Sequence, residues 1–414
     1  MNLLIKNIRQ LVTVNANGKK VKVGKEMQEL GIIENANVLV RNGLIKKIST
    51  NEIDSEISVD DIDILDATGK IALPGFVDSH THTVFAGSRE NEFAMRAEGK
   101  TYQEIAQQGG GILSTMNATR VATKKELLRK AEQFLNQILQ HGTTTVEIKS
   151  GYGLDNNSEI KILDIINELK KYHYATIVGT FLGAHAIPPE YKNNPDDYVE
   201  LILQKMLPYV VERNFATFCD VFCEQNYFSL EQTRKILKTA QQYGIQSKIH
   251  ADQLSAFGAT ELGVELHAIS VDHLECLTEK GIEALKKSDT IATVLPGASF
   301  FLHHQYAPAR KIIDADIPLA IATDFNPGSS MCYSMPMMMT IACTQMQMTP
   351  EEAITAATLN GAAALNLSHE IGSIEVGKKA DIVLYDVPNY TYIPYHFGKN
   401  HVWKVVKNGT LLEM

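Results

Sequence analysis

LPGFVDSHTH, residues 73–82, carries two histidines one residue apart at the end of an apolar run. On an extended strand His80 and His82 project from the same face, because side chains alternate with a period of two. Two ring nitrogens presented together are half of a divalent metal site. Asp78 shares their parity and is expected to accept a hydrogen bond from one of the rings. The remaining ligands must come from elsewhere in the chain.

Three other apolar runs end in the same manner. KIHADQL places His250 at a strand end, SVDHLE places His273, and IATDFNPGSS places Asp324. Strands are expected near residues 71–82, 144–149, 175–183, 219–224, 246–250, 269–273, 290–295 and 318–324, most of them separated by helical segments. The helical half of the unit is plainest from Thr123 to His141. Thr123 and Glu126 have capping-box spacing, Leu127, Ala131, Leu135 and Ile138 lie on one stripe, and Gly142 ends the run. Ser229 with Gln232, and Thr349 with Pro350 and Glu352, mark two more helix starts. Alternating strands and helices imply parallel pairing, and eight such units close into an α/β (β/α)8 barrel of the TIM type. Its C-terminal strand ends open on one face, where five polar residues from four staves would meet.

The two chain ends have a different character. Both give short strand-like runs without clear helices, such as ANVLVRNGLIKKIS and VWKVVKNGTLLE. Neither has enough strands to stand alone. Residues 1–66 and 374–414 are therefore expected to pair as one composite β-sandwich domain, beside a barrel domain of residues 67–373.

Composition narrows the function. The chain has 414 residues and a formal net charge of −9, which argues against nucleic-acid binding because a phosphate backbone calls for a clustered basic excess. No run approaches the roughly 18–20 apolar residues of a membrane span. MNLLIKNIRQLVTVN, broken by charges, reads as a strand and not as a signal peptide. Five scattered cysteines fit a reducing cytoplasm. Cys219 and Cys223 share one strand face as buried fillers, and MCYSMPMMM (331–339) reads as a pliable helix start.

The His-x-His of the first strand, the histidines of the fifth and sixth and the aspartate of the eighth resemble the amidohydrolase superfamily. VFAGSRENEFAMRAEGKTYQEIAQQGGGILST (84–115), EIKSGYGLD (147–155), FLGAHAIPPEY (181–191), KIHADQLS (248–255), LPGASFFL (295–302) and ATDFNPGSS (322–330) extend the likeness to one family, the imidazolonepropionases of histidine degradation. The resemblance implies metal ligation by His80, His82, His250 and Asp324, with one divalent ion per chain, Zn or Fe. It implies substrate contacts at Arg89, Tyr152, His185, Gln253, Asn326, Gly328 and Ser329, and a role in the chemistry for His273. A small-molecule substrate and a homodimer are also implied.

The expected reaction opens the cyclic amide of 4-imidazolone-5-propanoate to N-formimino-L-glutamate. Asp324 would carry the proton from water to the ring nitrogen, and His273 would stabilise the developing oxyanion. Arg89 would grip the propanoate through two parallel hydrogen bonds. Tyr152, between two glycines, is expected in a loop with its ring free to cover the ligand. His185 would bond the ring or cap a neighbouring carbonyl. Glu224 is the residue through which a second ion could be held. Two rival readings stand beside this one: a deaminase of a heteroaromatic base, which would want a titrating glutamate where Gln253 stands, and a non-catalytic scaffold, which would lack ligands.

Overall fold

The computed structural model describes residues 2–53, 62–100, 104 and 109–413. Residues 101–103 and 105–108 of the quoted segment 84–115 lie outside the described residues. Among the described residues the chain forms two sheets of eight strands each. The N-terminal end supplies β1 (Asn2–Val12), β2 (Ile32–Arg41), β3 (Leu44–Ser49), β4 (Asp63–Asp66) and β5 (Ile71–Pro74) to the first sheet. The second sheet comprises β6 (Phe76–Asp78), β7 (Thr143–Lys149), β8 (Thr176–Ala184), β9 (Phe218–Cys223), β10 (Gln246–Ala251), β11 (Ser270–His273), β12 (Ile291–Val294) and β13 (Leu319–Ile321). The chain then returns to the first sheet with β14 (Ile382–Tyr385), β15 (Val402–Lys407) and β16 (Thr410–Leu412), in the order β16-β15-β14-β5-β1-β2-β3, with β4 beside β1.

Both chain ends therefore share one continuous mixed sheet. β1 runs parallel to β4 through Leu3–Lys6 and to β5 through Gln10–Leu11, with a bulge between Ile5 and Ile8 that bends it. Leu3, Ile5, Val38, Ile382, Leu384 and Val406, from opposite ends of the chain, bury into one apolar cluster.

Residues 71–82, expected as one strand, divide at Gly75. Ile71–Pro74 pair with β14, whereas Phe76–Asp78 pair with β7. A Cβ on Gly75 would lie 2.2 Å from Thr144 Oγ1. Only glycine lets the chain step from one sheet to the other at that point.

The second sheet is parallel throughout and follows chain order from β6 to β13. Capping boxes at Thr123, Ser229 and Thr349 start three of the helices, as their spacing predicts. Between β6 and β13 the barrel is closed by a short seam. The Asp324 amide donates to His80 O (3.0 Å) and the His82 amide to Phe325 O (2.9 Å). Asp78 works in this seam, accepting from Thr323 N at 3.0 Å and Thr323 Oγ1 at 2.6 Å. Its expected bond to a histidine ring is not formed, because the carboxylate points along the seam. Among the described residues no helix is long and apolar enough to cross a membrane.

Candidate active site

His80, His82, His250, His273 and Asp324 meet at the C-terminal mouth of the barrel. One ring nitrogen from each of His80, His82 and His250 lies within 4.8 Å of the others, as do atoms of His80, His273 and Asp324. Asp324 Oδ1 is 3.6 Å from Nε2 of both His80 and His82. That spacing is long for a hydrogen bond and suits ligands around a common ion. His80 Nε2, His82 Nδ1 and His250 Nε2 are buried without a hydrogen-bond partner, an arrangement costly to a protein unless something binds there. Burial first, then the neighbouring rings and Lys149, hold His80 and His82 well below the ordinary imidazole value, so both rings are neutral. These residues form a histidine-rich cluster able to hold a metal.

The rings are oriented from below. Asp272 Oδ2 accepts from His80 Nδ1 at 2.7 Å, which fixes the tautomer that leaves Nε2 as a lone-pair donor. Asp220 Oδ2 lies 2.9 Å from His250 Nδ1. Beneath them sits a buried ionic cluster. Lys149 Nζ contacts Glu147 (3.0 Å), Asp220 (2.8 Å) and Asp272 (3.6 Å), while Lys248 Nζ contacts Glu147 (2.7 Å) and Asp272 (3.7 Å). With Asp324 the group carries two more carboxylates than ammoniums, the imbalance a divalent cation would offset. Burial would discharge Lys149, but Asp220, Glu147 and Asp272 outweigh it and raise its pKa. Sequence reasoning missed these residues. The available signal was inward parity: Glu147 and Lys149 alternate on β7, and Lys248 shares a face with His250 on β10.

Asp324 and His273 face each other across the site. Burial raises the Asp324 carboxyl above its ordinary value, against the pull of His273 and His250. It accepts from Ser329 Oγ at 3.0 Å. For His273, burial favours the neutral ring, but Glu275, Asp324 and Asp272 together prevail and raise its pKa. Glu275 Oε1 lies 3.4 Å from His273 Nδ1.

Above these groups is a cavity of about 710 Å³ lined by Arg89, Tyr152, His185, Gln253, Asn326, Gly328 and Ser329 among others. The structure brings every one of the expected contact residues to this cavity, though not all with free side chains. Arg89 gives its Nε and Nη2 edge to Glu92, at 2.9 and 2.7 Å, so only the Nη1–Nη2 end remains open. Tyr152 sits in a loop that is fastened, not free: Glu159 accepts from the amides of Gly151, Gly153 and Leu154. Its buried ring packs 5.7 Å from His82 and 5.4 Å from His185. His185 donates from Nδ1 to Gly151 O at 3.0 Å, and burial pushes its pKa down to about 3. The ring is therefore neutral, with Nε2 left as an acceptor. It caps a carbonyl and still has an atom for a ligand.

Asn326 differs from expectation. Its Nδ2 donates to Asp324 O and Ser329 Oγ, and its Oδ1 accepts from Gly328 N and Ser329 N. The side chain is saturated inside its own turn and shapes the loop without offering a free group. Glu224 is similarly engaged, accepting from the amides of Gln225, Leu254 and Ser255 and from Ser255 Oγ. With both oxygens engaged it anchors the loop that presents Gln253.

Residues 71–412 match the family model described as "Amidohydrolase family". An imidazolonepropionase from Alkaliphilus oremlandii (strain OhILAs) is 49% identical over 414 residues, covering 100% of this chain and 98% of that protein. One from Geobacillus sp. (strain WCH70) is 49% identical over 416 residues, covering 99% and 97%. Among solved structures, an adenosine deaminase from Xanthomonas campestris with bound zinc gives a TM-score of 0.72 at 19% identity, covering 99% of this chain and 92% of that one; this likeness supports the fold alone. The barrel, the histidine cluster at its mouth and full-length identity of this order place the chain in the amidohydrolase family and, within it, among the imidazolonepropionases.

Proposed function

We propose that the site hydrolyses the cyclic amide of 4-imidazolone-5-propanoate to N-formimino-L-glutamate with His80, His82, His250 and Asp324 holding one divalent ion, Zn or Fe. The observation that carries this is the cluster of buried histidines with unpartnered ring nitrogens, two of which, His80 and His82, each place Nε2 3.6 Å from the Asp324 carboxylate. When bound, such an ion supplies the acidity that brings a water's pKa from 15.7 to about 7. Asp324 accepts the proton of the attacking water, aided by a pKa already raised through burial. It returns that proton to the ring nitrogen as the C–N bond breaks. His273, whose pKa Glu275 and its neighbours raise, donates to the oxyanion that develops on the ring carbonyl. Neutral His185 accepts a ring N–H through Nε2, and Tyr152 closes one wall against water. Arg89 binds the propanoate, Gln253 offers its amide to the ring, and Gly328 and Ser329 form the floor. Gln253 has no proton to pass to a heteroaromatic base, which disfavours the deaminase reading.

Purified protein incubated with 4-imidazolone-5-propanoate should release N-formimino-L-glutamate and lose this activity on chelation, with recovery on adding Zn²⁺ or Fe²⁺. Ammonia release without formiminoglutamate would overturn the reading. A homodimer and a cytoplasmic location complete the proposal by analogy with the family; sedimentation tests the first.

A further inference from the structure

Arg89 shares the pocket wall with a second guanidinium. Arg96, in the last turn of the helix (Glu90–Ala97) that Arg89 precedes, stacks over Phe301 with Cζ 5.0 Å from the ring centroid. Both of its Nη atoms lie 3.4 Å from Gly328 O, a separation that leaves its donors weakly used. Arg89 Nη1 rests against the same glycine, where an added Cβ would sit 2.1 Å from it. Two cations thus converge on one residue of the loop that follows Asp324.

Their partners differ. Glu92 takes two hydrogen bonds from Arg89 and balances its charge. Among the described residues no carboxylate lies within ion-pair distance of Arg96. Two guanidiniums and one carboxylate leave a single positive charge in excess, on the wall of the cavity that also holds His273 and Asp324. Burial, and then repulsion from Arg89, lower the Arg96 pKa from its ordinary value against a smaller pull from Glu92, as expected of a cation set beside another and sharing that cation's carboxylate. The planar fork of a guanidinium fits a carboxylate in a way that a point charge does not.

We propose that Arg96 is a second carboxylate-binding residue, which takes the substrate's propanoate together with Arg89 and supplies the charge that the Arg89–Glu92 pair no longer provides. This rests on the imidazolonepropanoate reading above. The test compares the parent enzyme with Arg96→Gln and Arg96→Lys in steady-state kinetics. It adds inhibition by two unreactive probes, 3-(imidazol-4-yl)propanoate and 4-ethylimidazole, which lacks the carboxylate. Arg96→Gln should raise KM about tenfold or more and leave kcat within about twofold. It should weaken the propanoate probe by a similar factor and leave 4-ethylimidazole unchanged, with Arg96→Lys intermediate. An unchanged KM, or equal weakening of both probes, overturns the role of Arg96 alone. Absence of imidazolonepropanoate turnover by the parent enzyme overturns the functional reading and this proposal with it.

Discussion

The composite sheet is filled by Leu3, Ile5, Val38, Ile382, Leu384 and Val406, while the axis of the barrel beneath the site is filled by Glu147, Lys149, Asp220, Lys248 and Asp272, each with no exposed surface. Both sheets have eight strands. The apolar interior stabilises by removing surface from water. The ionic interior carries a desolvation cost that its Coulomb gain only partly offsets, and apolar residues of equal volume would serve stability as well or better. Two neighbouring interiors of one chain thus follow different rules, and the costlier one lies directly under the histidines. Its charges set which way His80 and His250 face.

Four substitutions would break or sharpen this contrast. Asp324→Ala removes a proposed ligand and the proposed proton carrier, so kcat/KM should fall by about 10³ or more, ~4 kcal/mol of transition-state stabilisation; near-normal turnover refutes the assignment. Lys149→Met removes an ammonium shared by three buried carboxylates and leaves Asp220 with no lysine partner, and chemical denaturation should register a loss of about 3–5 kcal/mol. Zn²⁺ titration of the chelated variant should also show weaker binding, and full stability would mean that the cluster is not ionic. Leu384→Ala opens a cavity in the composite sheet, at a cost of about 2–5 kcal/mol. Here kcat/KM of the folded protein should hold, and a large fall would show that the two interiors are coupled. Asp272→Asn keeps the shape but weakens the ring's acceptor, so metal affinity should drop about 10–100-fold with a smaller change in melting temperature than Lys149→Met gives.

Much of the barrel was legible because strand alternation and helix caps are local signals. Thr123 with Glu126 marks a helix start whatever the rest of the chain does. The meeting of His80, His82, His250, His273 and Asp324 was legible because strand ends of a parallel barrel share a face. The supporting layer was not, since parity tells that Asp272 points inward but not that its partner is His80, 192 residues away. Likewise nothing local shows that Gly75 ends one sheet and starts another; that follows from Thr144 pressing against it. The inward bonding of Asn326 was within reach, because an Asn-Pro-Gly turn commonly folds its amide onto its own backbone.

The seam between β6 and β13 has a consequence for assembly. The first and last staves, some 240 positions apart, are laced by the very stretches that bear His80, His82 and Asp324. On the proposed ligand set, a chain still lacking its eighth stave presents His80, His82 and His250 without Asp324, so the full set forms only on closure. Occupancy and closure then reinforce each other by linkage, and removing the ion should quicken amide exchange at His82 and Asp324 before it disturbs the far side of the cylinder.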